Sequence, residues 1–284
     1  MKIMQDILQV KLATISNLFE FEIRETEGLS IIGENGMGKS KLLSRISNKS
    51  KGVGYRGNRG RLSKDEKDLW DLEIDYFDGT LNRAVDERVI DLLERASVKF
   101  NSTPVELGRV FDIDQTEFML KLKQVKGELE KSIALLYCLT KDIKLLLLDD
   151  VFGLDDEIKS RLLPFLEKAR ENYGLTYLIA TTDFEMARRL TSFIAVMEDD
   201  KIVEYARSET LLKKPLHPYS RWLINSNKKR RDGVVFIRTA KDGKPPKKAC
   251  KYSLICPFSD DICKSKPCEF VLHGKEHFTA CHKL

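Results

Sequence analysis

Apolar residues recur along this chain in two ways. Short unbroken runs stand in "LSII" (29–32), "LLLL" (145–148) and "LTYLIAT" (175–181), each bounded by polar or turn residues, and they read as buried strands. "WDLEIDYF" (70–77) alternates enough to be a further strand, and "FIAVMEDDKIVEYA" (193–206) reads as a hairpin turned at Asp199-Asp200. Between these runs the spacing changes to that of a helix. "NRAVDERVIDLLERA" (82–96) puts Val85, Val89, Leu92 and Leu93 on one face. "GELEKSIALLYCLTK" (127–141) is a second helix, and "DDEIKSRLLPFLEKAR" (155–170) is a third, in which Pro164 is expected to introduce a kink. Strands alternating with helices predict an α/β protein with a sheet rich in parallel strands. Residues 51–70, dense in Gly, Lys and Arg, predict a loop, and the chain shows no internal repeat.

Length and composition narrow the class. The chain has 284 residues, of which 42% are hydrophobic and 33% charged, enough for one large domain with a sizeable core and a small appendage. No apolar run reaches the roughly 18–20 residues that span a membrane. The start, "MKIMQDILQVK", lacks the apolar centre of a secretory signal, so a cytoplasmic chain is expected. The net charge of +5 is unevenly placed, with much of the excess in residues 227–251. Such a run reads as a solvated linker, or as a contact to nucleic acid or lipid headgroups.

The first chemical signal follows the strand "LSII". "GENGMGKS", Gly33 to Ser40, fits Gly, four residues, then Gly-Lys-Ser. Gly33, Gly36 and Gly38, with Asn35 between them, let backbone N–H groups surround phosphate oxygens. Lys39 then reaches the outer phosphates and Ser40 contacts magnesium, so ATP and Mg2+ are the expected ligands. The acidic end of "LLLLDD" is the matching partner: Asp149 is expected to hold the metal through water, and Asp150 follows where a catalytic acid would stand.

A second signal lies at the other end. Five of the six cysteines fall after residue 249, which marks a separate C-terminal unit. Cys138, in the apolar "SIALLYCL", reads as a core residue. Cys256, Cys263, Cys268 and Cys281 are separated by six, four and twelve residues, and Cys250 looks spare. Four thiolates suit a four-iron, four-sulfur cluster or a tetrahedral zinc ion. The absence of a tight Cys-x-x-Cys pair favours the cluster, with a structural role, and zinc is the alternative. His273, His277 and His282 are candidate zinc ligands or plain surface residues.

The phosphate loop, the acidic strand end, and "PLHPYSRWLINS" (215–226) followed by "CPFSDDIC", "KPC" and "FTACH" resemble the ATP-binding subunits of dipeptide and oligopeptide ABC importers. The resemblance covers nearly the whole chain. It implies an ABC-type P-loop ATPase domain over residues 1–215. It further implies a small cysteine-rich C-terminal domain over 216–284, an iron–sulfur cluster on the four cysteines in some members, and a place on the cytoplasmic face of the membrane. Its implied partners are a second ATPase subunit, two membrane permeases and, indirectly, an external solute-binding protein. The solute is a peptide or a related small solute such as a metal chelate.

Several motifs depart from the family pattern. The signature expected at a helix start reads "VKGEL" (125–129): Gly127 is kept, Lys126 replaces a serine, and Glu128 aims a carboxylate at a partner's phosphate. A salt bridge to a nearby lysine would relieve that repulsion. Thr182 stands at the switch-histidine position, and "DGTLNR" (78–83) lacks the expected glutamine. Asp150 is a methylene shorter than the usual glutamate. There is little room for an N-terminal hairpin, and no aromatic residue stands out to stack on adenine. The expected function is therefore a degenerate subunit that binds ATP and hydrolyses it poorly. A P-loop protein with an iron–sulfur tail acting on nucleic acid is the rival reading, and a structural subunit without nucleotide is a second.

Overall fold

The computed structural model describes residues 6–13, 18–50, 74–81, 86–149, 156–231 and 249–284. Its frame is a mixed eight-stranded sheet. In chain order the strands are β3 (Leu29–Ile32), β4 (Ile74–Phe77), β5 (Leu145–Asp149), β6 (Thr176–Thr181), β7 (Phe193–Glu198), β8 (Lys201–Arg207), β9 (Val271–Leu272) and β10 (Phe278–Thr279). Their spatial order is β4-β5-β6-β3-β7-β8-β10-β9. The first five are parallel, and β8, β10 and β9 are added antiparallel. Ahead of them β1 (Asp6–Ala13) and β2 (Leu18–Arg24) form a separate antiparallel hairpin. The short N-terminus therefore has room for the hairpin that the sequence made doubtful.

The unbroken apolar strands are buried on both faces, as parallel strands between helices must be. Leu145 and Leu147 of β5 join a cluster with Leu42, Leu43 and Ile46 of α1 (Lys39–Ser50). Leu146 and Leu148 point the other way. They share one cluster with Leu92 and Leu93 of α2 (Val89–Phe100), Phe111 of α3 (Pro104–Phe111), Leu135 and Leu136 of α4 (Glu128–Thr140), and Leu162 and Leu166 of α5 (Asp156–Tyr173). At roughly 1.5–3 kcal/mol for each fully buried aliphatic side chain, these two faces drive the sandwich of helices on sheet.

Val89, Leu92 and Leu93 are fully buried on the predicted face of α2, while Val85 lies outside the described residues. Pro164 sits inside α5, which continues through it to Tyr173. The predicted hairpin forms from β7 and β8, with Asp199 and Asp200 both at positive φ (47° and 60°). That pair of left-handed residues supplies the twist a two-residue turn requires. α3 was not predicted; Pro104 starts it, and Thr103 and Glu106 cap each other.

After β8 come α7 (Ser208–Lys213) and α8 (Pro218–Arg231), and in the tail a 3-10 turn (Lys251–Leu254) and α9 (Asp261–Ser265). The tail is joined to the main sheet: β10 pairs with β8, and a third cluster packs Tyr219 and Tyr252 on Ile194, Val196 and Val203. Among the described residues no helix is long and apolar enough to cross a membrane.

Candidate nucleotide site and cysteine cavity

The parallel register brings the chemical residues to one edge. Ile32 pairs with Thr181, Asp149 with Ala180, and Phe77 with Leu148. The phosphate loop, Asp149, Thr182 and the Asp78-Gly79 bend therefore all leave the sheet at its carboxyl edge, where ligands of such sheets bind. Lys39, 8% exposed, opens α1 and donates from Nζ to Gly33 O (2.7 Å) and Glu34 O (2.9 Å). Asn35, Gly36 and Ser40 are exposed at the mouth. Gly38 has φ +95°, a conformation strained for any side chain, and a Cβ there would stand 2.0 Å from Asp200 Oδ1, so the Asp200 carboxylate would have to move as well.

Asp149 is held from one side only. Tyr76 Oη donates to its Oδ2 at 2.9 Å, while its buried Oδ1 has no hydrogen-bond partner among the described residues. Burial, and then this hydrogen bond to a carboxylate, push the Tyr76 phenol well above its ordinary range, so it stays a donor. A buried carboxylate oxygen without a partner is costly. Together with the hydroxyl of Ser40 it supplies the hard oxygen donors that magnesium prefers, so the residues fit the metal.

Thr182 is exposed, and its carbonyl accepts from Asn227 Nδ2 at 3.4 Å, while Asp183 is used to cap α6 (Phe184–Leu190). In the bend after β4, Asp78 Oδ1 accepts from Thr80 N and Oγ1, and residues 78–81 contain no glutamine. Asp150 lies outside the described residues. Gly127 caps α4 at φ 69° with open space around its Cβ position, so the glycine serves the backbone conformation and not a close contact. Lys131 Nζ stands 2.9 Å from Glu128 Oε1, the salt bridge the sequence suggested for that carboxylate.

Three supports of this site were not read from the sequence. The Asp199-Asp200 turn closes on the loop: Asp200 N donates to Met37 O (3.1 Å), and Lys41 pairs with the Asp200 carboxylate (3.2 Å). Tyr219, fully buried in the His-Pro-Tyr segment, accepts from the Glu34 amide at its hydroxyl (3.3 Å). Glu204, 0% exposed in β8, accepts from Leu216 N (2.7 Å), His217 N (2.9 Å) and His277 Nε2 (2.7 Å). The one available signal was a lone carboxylate in the apolar "KIVEYA", but its partners are up to 73 residues away.

The tail cysteines converge. Cys250, Cys256, Cys263, Cys268 and Cys281 line one small cavity, together with His217, Ser253 and His282. Cys250 is therefore not spare: it lines the cavity with the other four, and its amide donates to Cys263 O (2.9 Å). The Ser253 hydroxyl is buried without a partner. Desolvation pushes the Cys256, Cys263 and Cys281 thiols up, while the hydrogen bond from Cys250 draws Cys268 down. None of the six cysteines is in a disulfide, and among the described residues no three Cys, His, Asp or Glu side chains stand at the mutual distances that would hold a single metal ion. His277, a candidate zinc ligand by sequence, is buried on Glu204 instead. Cys138 is buried in the core as expected.

Residues 203–263 match the family described as oligopeptide/dipeptide transporter, C-terminal region. The chain is similar to the oligopeptide transport ATP-binding protein AppF of Bacillus subtilis (strain 168), with 24% identity over 92% of this chain and 87% of that protein. It is similar to the dipeptide transport ATP-binding protein DppD of Caldanaerobacter subterraneus subsp. tengcongensis, also at 24%, over 92% of this chain and 88% of that one. Among solved structures, cbiO1 from Clostridium perfringens, part of the ABC transporter complex cbiONQ, superposes with a TM-score of 0.53 at 19% identity, covering 74% of this chain and 91% of that one. The fold is that of an ABC-type α/β ATPase.

Proposed function

We propose that this chain is the ATP-binding subunit of a heteromeric ABC importer for peptides or a related small solute, peripheral on the cytoplasmic face of the membrane. It binds ATP and hydrolyses it poorly at its own site. The observation that carries the reading is the alignment of Lys39, the phosphate loop and the half-satisfied Asp149 at one sheet edge, in a chain whose His-Pro-Tyr segment matches the peptide-transporter family. The Lys39 ammonium neutralises the outer phosphates, and loop amides at the start of α1 receive their oxygens. Ser40 and Asp149 are the residues that would hold magnesium, which when bound neutralises and orients the triphosphate.

Weak hydrolysis follows from what is missing at that edge. The chain offers no imidazole at Thr182 and no glutamine at 78–81, and Asp150 is a shorter acid than glutamate. Groups that order one water act as a unit, so their joint loss outweighs any single one. The catalytic carboxylate of a second ATPase subunit would then carry most turnover, and permeases would supply the membrane passage. Two arms test this. Lys39→Ala is expected to abolish Mg-ATP binding to the purified chain; unchanged affinity refutes the assignment. In the assembled transporter, Asp150→Asn is expected to leave most transport while loss of the partner's catalytic acid stops it. Equal loss from both overturns the degenerate reading.

We further infer that the cysteine cavity holds a four-iron, four-sulfur cluster as a structural staple. Five thiols and an unpartnered Ser253 hydroxyl surround it, and a multi-iron cluster spreads its thiolates farther apart than one zinc ion does. Protein prepared without oxygen is expected to contain iron and acid-labile sulfide. Stoichiometric zinc without iron assigns the cavity to zinc.

A further inference from the structure

A run of buried and partly buried hydrogen bonds leads from the phosphate loop towards the cysteine cavity, at the other end of the sequence. Its centre is a single peptide plane, Gly33–Glu34. The carbonyl of that peptide, Gly33 O, accepts from Lys39 Nζ at 2.7 Å. Its amide, Glu34 N, donates to Tyr219 Oη at 3.3 Å. One peptide is thus clamped between the phosphate-binding lysine and a tyrosine of the His-Pro-Tyr segment.

The run continues beyond the tyrosine. Tyr219 N donates to His217 Nδ1 at 3.1 Å, so Nδ1 carries no proton and Nε2 carries the proton of the neutral ring. Nε2–H is then the ring's remaining donor, and His217 and Cys250 line the same small cavity. Tyr252 packs against both rings, with centroids 5.9 Å from His217 and 5.6 Å from Tyr219, and leaves them little freedom to turn separately. His217 is 1% exposed, Tyr219 0% and Lys39 8%, so water competes little at these three groups, while Glu34 and Cys250 are half-buried. In such a dry setting hydrogen bonds strengthen, and a change at one end reorients the next group instead of being absorbed by solvent.

We propose that the cysteine cavity regulates nucleotide binding: what Cys250 is bonded to sets the orientation of His217, and Tyr219 passes that on to the Gly33–Glu34 peptide and Lys39. This rests on the reading of the phosphate loop as an ATP site. It does not require a particular metal, because a thiol, a metal-bound thiolate and a serine each present His217 with a different acceptor. Tyr219 is a positioning residue in this scheme. It touches no phosphate and acts through the peptide that Lys39 grips.

A double-mutant cycle on the full chain tests the coupling, with Mg-ATP affinity measured by titration and iron and zinc measured in every preparation. Tyr219→Phe keeps the ring and removes only the hydroxyl, so about a three- to tenfold weaker affinity is expected, as for one neutral hydrogen bond. Cys250→Ser is expected to weaken ATP binding by a similar factor in the wild-type background. In the Tyr219→Phe background it is expected to have little further effect, because the link is already cut. Amide hydrogen exchange gives a second readout: Glu34 N–H is expected to lose protection in both variants while the β5 amides keep theirs. Factors that multiply independently, or no effect of Cys250→Ser on either readout, overturn the coupling and leave the ATP site standing. A wild-type chain that binds no ATP at all overturns both. Circular dichroism on Cys250→Ser separates loss of the fold from loss of the link, and Cys250→Ala repeats the cycle if the serine variant does not fold.

Discussion

Removal of the Glu204 carboxylate is the sharpest test of how the tail is held. Its two oxygens accept three hydrogen bonds, from the Leu216 and His217 amides and from His277 Nε2, at 2.7–2.9 Å. The residue is completely buried. In Glu204→Ala the three donors lose their acceptor in a dry site. Each orphaned donor costs about 1–3 kcal/mol, and water entering the vacated space recovers part of that, so a net loss of about 3–6 kcal/mol is expected. That is a large share of the roughly 5–15 kcal/mol that holds a typical domain folded. Glu204→Gln keeps the shape and one acceptor oxygen but turns an NH2 group towards a donor, so about half the loss is expected.

Guanidinium titration followed by two probes is the assay. Trp222 lies on α8, its ring stacked 6.0 Å from Tyr219, and in a Trp70→Phe background, which removes the chain's other tryptophan, it reports locally on the His-Pro-Tyr segment. Far-ultraviolet circular dichroism reports on the whole fold. In wild type the two transitions should coincide. In Glu204→Ala the tryptophan transition should move to lower denaturant ahead of the dichroism, because the segment lets go before the sheet does. A loss below about 1 kcal/mol by both probes would show that Glu204 does not hold the segment, and the hub assignment would fail.

Two further outcomes follow from the same geometry. Gly38→Ala forces a Cβ to within 2.0 Å of Asp200 Oδ1 at a φ of +95°, so ATP binding should fall at least tenfold even with the fold intact; adding Asp200→Gly should relieve the collision but not the backbone strain, giving partial recovery in the same titration. The Arg189 guanidinium, 2.7 and 2.5 Å from the Glu167 carboxylate, holds Glu167 below the usual carboxylate range; the pair therefore contributes fully above about pH 4.3 and is lost as pH falls through the lowered native value. With both side chains about a quarter exposed the effect is about 1 kcal/mol or less, and Glu167→Gln should narrow the stability difference between pH 6 and pH 3 in acid titrations of the melting temperature.

Local chemistry made half of this protein legible in sequence. An unbroken four- to six-residue apolar run between polar segments can bury both faces in only a few ways, so β3, β5 and β6 were readable, as was the order of strand, glycine loop and lysine that makes a phosphate cradle. The Asp199-Asp200 turn was equally local. The Glu128 carboxylate and the Lys131 ammonium that pairs with it are three residues apart on one helix, within reach of a reading by spacing.

What the tertiary structure alone decided involves partners far apart in the chain. Tyr219 meets Glu34 across 185 residues and His277 meets Glu204 across 73, and neither the tyrosine nor the glutamate carries a motif that names its partner. Cys250 looked spare because spacing counts residues along the chain, whereas the fold of the tail brings it to one cavity wall with Cys268 and His217. The N-terminal hairpin was doubted on length, yet two short strands need only each other to pair. Hydrogen bonds and burial are satisfied in space. A sequence shows which groups require a partner, and the packing of β8, α8 and the tail determines which group answers.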